Sequence, residues 1–105
     1  MEFVRPFQPD AKATVQATAA VSSARVALGG TGPQVRVNNT GTVDAFVEFG
    51  DSTVAATVPS GATAGSLRVA AGTVEIFTLS QSFTNAAAIT SASTSVVEFT
   101  RGEGN

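Results

Sequence analysis

The chain has 105 residues, enough for one domain with one core. It contains no cysteine and no histidine, 13% of its residues are charged, and its formal net charge is -2. This composition excludes disulfides, thiolate metal sites and every catalytic arrangement that uses imidazole or thiol. The low charge also argues against binding to nucleic acid or to an anionic membrane surface.

The first ten residues predict an extended arm. Phe3 and Phe7 are spaced by four, and Pro6 and Pro9 each remove a backbone donor, which keeps the segment out of a central strand. Two interpretations stay open. The segment is either a terminal strand packed against the domain or an arm whose phenylalanines dock on another subunit.

The clearest strand signal runs over residues 34–49. Val35 and Val37 alternate with polar residues up to the turn at 39–41, which predicts a hairpin with a return strand behind it. Phe46 is the apolar exception on the polar face of that return strand. It lies either under a loop or a neighbouring strand, or against a partner.

Turn signals separate the other expected extended segments, which are 9–18, 53–58, 66–70, 73–79, 86–90 and 95–100. The strand at 73–79 has a single charge and is expected to be largely buried. About eight short strands with frequent turns indicate an all-β fold, a small antiparallel β-sandwich of jelly-roll-like form. We expect an extended N-terminal arm at 1–10, one sandwich domain at 11–101 and a flexible C-terminal tail at 102–105.

Two segments have residues that could form a chemical site. Asp44, Glu48 and Asp51 are close along the chain, as in an acid/base pair or a Ca²⁺ site, but a solvated strand face gives the same spacing. The glycine-rich run at 29–33 lacks the lysine and the following helix of a phosphate loop, and is expected to be a turn. We therefore predict no enzyme, no metal site and no cofactor.

Several segments together carry a resemblance: Val35-Arg36-Val37-Asn38-Asn39-Thr40-Gly41, Ala45-Phe46-Val47-Glu48-Phe49-Gly50, Gly72-Thr73-Val74-Glu75-Ile76-Phe77 and the closing Gly102-Glu103-Gly104. The chain resembles the small head proteins of tailed bacteriophages. These include decoration, or cement, proteins that bind the outside of an icosahedral capsid. The resemblance spans most of the chain and brings no catalytic residues.

The resemblance implies a virion structural protein on the capsid exterior, with the major capsid protein and copies of itself, as a dimer or trimer, as partners. We expect Phe3, Arg5 and Phe7 to anchor the arm on the capsid, and Arg36 and Phe46 to contact neighbouring protomers. The alternatives are a head-to-tail connector, a tail or fibre domain, or a carbohydrate-binding module. The last is disfavoured because tryptophan and tyrosine, the usual sugar-stacking residues, are absent.

Overall fold

Two four-stranded antiparallel sheets face each other in the computed structural model, which describes residues 6–80 and 82–103. The strands are β1 (Gln8–Ala19), β2 (Ala24–Ala27), β3 (Gln34–Asn39), β4 (Ala45–Gly50), β5 (Leu67–Val69), β6 (Val74–Thr78), β7 (Asn85–Ile89) and β8 (Ser95–Glu103). The all-β prediction is thereby confirmed. Over these residues there is no helix long and apolar enough to cross a membrane.

The strand order is β1-β8-β3-β6 in one sheet, called sheet A, and β2-β7-β4-β5 in the other, called sheet B. The first strand pairs with the last, the second with the seventh, the third with the sixth and the fourth with the fifth. Among the strands of the described residues, only β4 and β5 are both consecutive in the chain and paired. The order is that of one long hairpin folded over on itself, so most pairs join distant parts of the chain.

The core is a thin layer between the sheets, because most of its members are alanine or valine. Phe99 in β8 is its largest fully buried side chain. Its ring meets that of Phe49 edge to face with centroids 6.0 Å apart, and Phe49 lies at the same distance from Phe77. The buried cluster comprises Ala17, Ala19, Val35, Val37, Ala45, Val47, Val69, Leu79, Ala86, Ala88, Val97 and Phe99.

The predicted hairpin at 39–41 is wrong, because β3 belongs to sheet A and β4 to sheet B. Asn39 explains the crossing. Its buried side-chain amide donates to the carbonyl oxygens of Val43 (2.9 Å) and Val69 (3.0 Å), and its oxygen accepts the N–H of Gly41. One polar side chain thus ties the end of sheet A to sheet B.

Two other strand predictions also need correction. Residues 53–58 form no strand; they belong to the connection between β4 and β5. The strand at 73–79 exists as β6, but it is not buried on both faces. Val74 and Ile76 lie on the outer face of sheet A, and this face of β6 is open to solvent.

The beginning of β1 and the end of β8 meet at one end of sheet A. Gln8 and Pro9, inside the segment predicted as an arm, pair with Glu103 and Gly102. The predicted tail therefore begins too early, because β8 continues to Glu103 and Gly102 is buried. Arg101, just before it, is 4% exposed and donates to the carbonyl oxygens of Gly32 and Phe83, each at 2.8 Å.

Candidate interaction surface

The outer face of sheet A carries an open groove of about 390 Å³. It is lined by residues from β1, β3, β6, β8 and the segment before β1: Phe7, Pro9, Thr14, Arg36, Ile76 and Thr100. Two of the five residues predicted as interface residues, Phe7 and Arg36, thus lie together. They are far apart in the sequence and meet because β1 and β3 both pair with β8.

The strand register builds the floor of this groove. Thr14 pairs with Thr100, Thr100 with Arg36, and Arg36 with Ile76, which gives one row across all four strands. Residues directly opposite on neighbouring strands point to the same face. The hydroxyls of Thr14 and Thr100 share a hydrogen bond of 2.7 Å, which holds these two polar side chains together at the β1–β8 end of the row.

Arg36 is the cation of the groove. It is half-buried, and no carboxylate among residues 6–80 and 82–103 lies within salt-bridge distance of it. In the neighbouring row, Glu98 instead accepts a hydrogen bond of 2.8 Å from the side-chain amide of Gln16. Arg36 therefore presents an arginine fork beside apolar side chains, the combination that is enriched in protein interfaces.

The apolar side of the groove is formed by Ile76 and Phe7. Ile76 is 48% exposed, and Val74, two residues earlier on the same face of β6, is 43% exposed. Contiguous exposed apolar side chains mark contact surfaces more often than single ones do. Sequence reasoning missed Ile76, because an apolar face on a strand with one charge predicts burial in the core.

Phe46 lies on the outer face of the opposite sheet. Its neighbours Ala45 and Val47 point into the core, so the ring points outward, yet it is only 3% exposed. The guanidinium carbon of Arg68 lies 5.2 Å from the ring centre. The ring is covered by its own chain and is not a free surface in this conformation. This agrees with the interpretation that Phe46 lies under a loop or a neighbouring strand.

The connection 51–66 lies across that outer face of sheet B. Ala56 N–H donates to Ser23 Oγ (2.9 Å), and the guanidinium of Arg25 donates to the carbonyl oxygen of Val54 (3.3 Å). At the other end, the Ser66 hydroxyl donates to Glu48 (2.8 Å). Sheet B is therefore closed on its outer side by its own connection, whereas the groove on sheet A stays open.

The three carboxylates with the spacing of a chemical site are each bound within the chain. Asp44 lies 3.7 Å from Arg68 and accepts the N–H of Ala71 (2.9 Å), and Glu48 accepts from Ser66. The hydroxyl and N–H of Thr53 hold the pKa of Asp51 below its usual value. In the part of the chain that the structure describes, no three acidic side chains converge on a point where a metal ion could bind.

Phe3 and Arg5, the other two predicted capsid anchors, lie outside the described residues. Comparison of the chain with protein-family models, with curated proteins and with solved structures gives no match. The function is therefore inferred from the geometry of the groove and from the strand order.

Proposed function

We propose that the domain is a jelly roll. Eight strands nested as first with last, second with seventh, third with sixth and fourth with fifth, and divided between two antiparallel sheets, support this classification. The jelly roll is an architecture that viral capsid proteins and lectins use. A fold alone does not determine a function, so the function has to be argued from the residues of the groove.

The function that the site supports best is a virion structural protein that binds the outside of an assembled capsid and stabilises it. The observation that carries this proposal is the open groove in which Phe7, Arg36 and Ile76 meet on one face only. Its partners are then the major capsid protein and copies of the protein itself. Phe3 and Arg5 are kept as proposed anchors on the grounds of the sequence.

The free energy gained by covering the groove is small for a single copy, so the proposed binding depends on many weak contacts. Complete burial of one isoleucine side chain gains about 1.5–3 kcal/mol, so covering the exposed half of Ile76 gains roughly 1 kcal/mol. A single contact of this size binds poorly. The same contact is, however, repeated at every equivalent position of a symmetric shell. A protein that binds the assembled shell and not the free subunits stabilises the shell by mass action.

The first test is a count of this protein in purified particles of the virus that encodes it. Quantitative mass spectrometry gives the number of copies relative to the major shell protein. A ratio near one, or simply related to it, supports decoration. A few to a dozen copies per particle assigns the protein to a connector, tail or fibre part, and absence from particles overturns both and favours a ligand-binding module.

The second test locates the contact. Purified protein is added to shells that lack it, and the bound fraction is measured by sedimentation. Arg36→Ala is expected to weaken binding, whereas Arg68→Ala, the same change on the outer face of the other sheet, is expected to bind like the wild type. Equal binding of the two variants would place the contact elsewhere.

A further inference from the structure

The four outer edges of the two sheets are protected to different degrees. β1 contains Pro9 and an irregular register between Pro9 and Thr14, with Lys12 at a φ of 53°. β2 and β5 have only four and three residues and carry Arg25 and Arg68. Prolines, irregular register, shortness and positive charge are the features by which natural edge strands avoid pairing with other chains.

β6 lacks these features. It has five residues, Val74–Thr78, with no proline and no positive charge; its one protective feature is Glu75, a charge on the core-facing side of the strand. It is the last strand of sheet A, and among residues 6–80 and 82–103 no strand pairs with its outer side. Its backbone donors and acceptors on that side are therefore available to another strand.

We propose that β6 pairs antiparallel with β6 of a second copy about a two-fold axis at Ile76. Ile76 then lies opposite itself, Val74 opposite Thr78, and Glu75 opposite Phe77. All five residues of the strand find a partner, and side chains of the same face meet. Because β6 can pair with an identical strand in this register, the proposed partner is a second copy of the protein.

Charge selects this register over its neighbours. A two-fold axis one residue earlier would place Glu75 opposite Glu75 of the second copy, and like charges directly opposite are destabilising. An axis one residue later would leave Val74 without a partner inside β6. With the axis at Ile76, the two copies of Arg36 are three strand spacings apart, about 14 Å, which exceeds the Debye length at physiological salt.

The pairing also joins the two grooves. A two-fold axis perpendicular to the sheet keeps both outer faces on the same side, so sheet A becomes a continuous eight-stranded surface with a groove on each half. The contact strip is only about 17 Å long, so it buries less than the 1,200–2,000 Å² of stable complexes, and the dimer is weak in solution. The inference specifies the self-association that the proposed function includes and does not depend on capsid binding.

Single cysteine variants test the pairing, because the natural chain has no cysteine. Directly opposite residues of an antiparallel pair have Cα atoms about 4.5–5.5 Å apart, inside the range that a disulfide spans. Ile76→Cys should therefore form a disulfide-linked dimer on mild oxidation. Val74→Cys should not do so alone, but should link to Thr78→Cys when the two variants are mixed.

The matched control is Leu67→Cys, since Leu67 also lies on an outermost strand and is 52% exposed. Intact mass and non-reducing electrophoresis give the dimer fraction, and circular dichroism confirms that each variant is folded. Equal cross-linking of the variants at 67 and 76 would overturn the proposed pairing. If that occurs while Arg36→Ala still weakens capsid binding, the proposed function stands. Preferential cross-linking at 76 in a protein that does not bind capsids would support the pairing and overturn the proposed function.

Discussion

The guanidinium carbon of Arg68 lies 5.2 Å from the centre of the Phe46 ring, and its Nε lies 3.7 Å from a carboxylate oxygen of Asp44. Arg68 belongs to β5 and Phe46 to β4, and the two residues are directly opposite in the register. Their contact joins the outermost strand of sheet B to its neighbour. Arg36 has no such partner among the described residues, so the two arginines differ in what their removal should cost.

Arg68→Ala should lower the free energy of unfolding, because it removes an exposed cation–π contact worth about 0.5–1 kcal/mol. Arg36→Ala should change it by less than about 0.5 kcal/mol, as substitutions away from specific interactions do. Urea unfolding of the two variants beside the wild type measures both values. A larger loss for Arg36→Ala would mean that Arg36 contributes to the fold and not only to a surface.

Phe46→Ala should be among the costly substitutions, since the ring is covered on the outer face of sheet B. Removing a buried phenylalanine ring costs about 3–5 kcal/mol. Thermal unfolding followed by circular dichroism measures the loss, and Phe46→Leu, which keeps much of the volume, is the control. A variant as stable as the wild type would show that the ring is free to contact a partner.

The positions of most strands could be predicted from the sequence, because the alternation of side chains that marks a strand is local. β3 falls inside the predicted run at 34–49, β4 does so except for its last residue, Gly50, and β7 and β8 lie near their predicted segments. The partner of each strand could not be predicted. The turn at 39–41 has the residues of a hairpin, but the bonds from Asn39 to the carbonyl oxygens of Val43 and Val69 hold it as a crossing between sheets.

The groove was predictable only in part, for the same reason. Phe7 and Arg36 were identified by residue type, but their proximity depends on β8 lying between β1 and β3. Ile76 was missed because an apolar strand face looks the same whether it is covered or open. The two cases differ in what packs on the outer face of the sheet, which the sequence of the strand does not show.

Asn39→Ala should destabilise the domain, because the carbonyl oxygen of Val69 would lose its Asn39 donor at a buried site, while that of Val43 would keep only the Ser95 hydroxyl. An unpaired buried polar group costs about 1–3 kcal/mol. Asn38→Ala, one residue earlier and on the outer face of the same strand, is the matched control and should cost less than half as much. Chemical denaturation compares them, and equal losses would contradict the role of Asn39.

Asp10 should make stability depend on pH in the acid range. Its carboxylate accepts the N–H groups of Thr31 and Gly32, each at 2.9 Å, and these bonds lower its pKa from the ordinary value of 3.8. A pKa lowered on folding adds stability that is present above 3.8 and is lost as the pH falls through the lower folded value.

Asp10→Asn isolates this contribution. Its difference in unfolding free energy from the wild type should be largest at about pH 5–6 and should shrink as the pH is lowered below 3.8. Asp51 also has a lowered pKa, but it titrates in both proteins and cancels in the difference. Denaturant unfolding across this range measures the effect. A difference that stays constant far below the ordinary pKa would show that the carboxylate charge does not matter.

Phe3→Ala combined with Phe7→Ala should leave the domain folded and weaken its attachment to capsids. The ring of Phe7 lines the groove and lies over Gly102, where an added Cβ would come within 2.8 Å of the ring, so its contact with the domain is at the margin of the sheet. The core cluster between the sheets does not include it. Circular dichroism and co-sedimentation with capsids separate folding from attachment, with Leu67→Ala as the control for an exposed apolar side chain on the other sheet. If the double variant unfolds, the segment belongs to the fold; if it folds and binds capsids like the control, neither phenylalanine is an anchor.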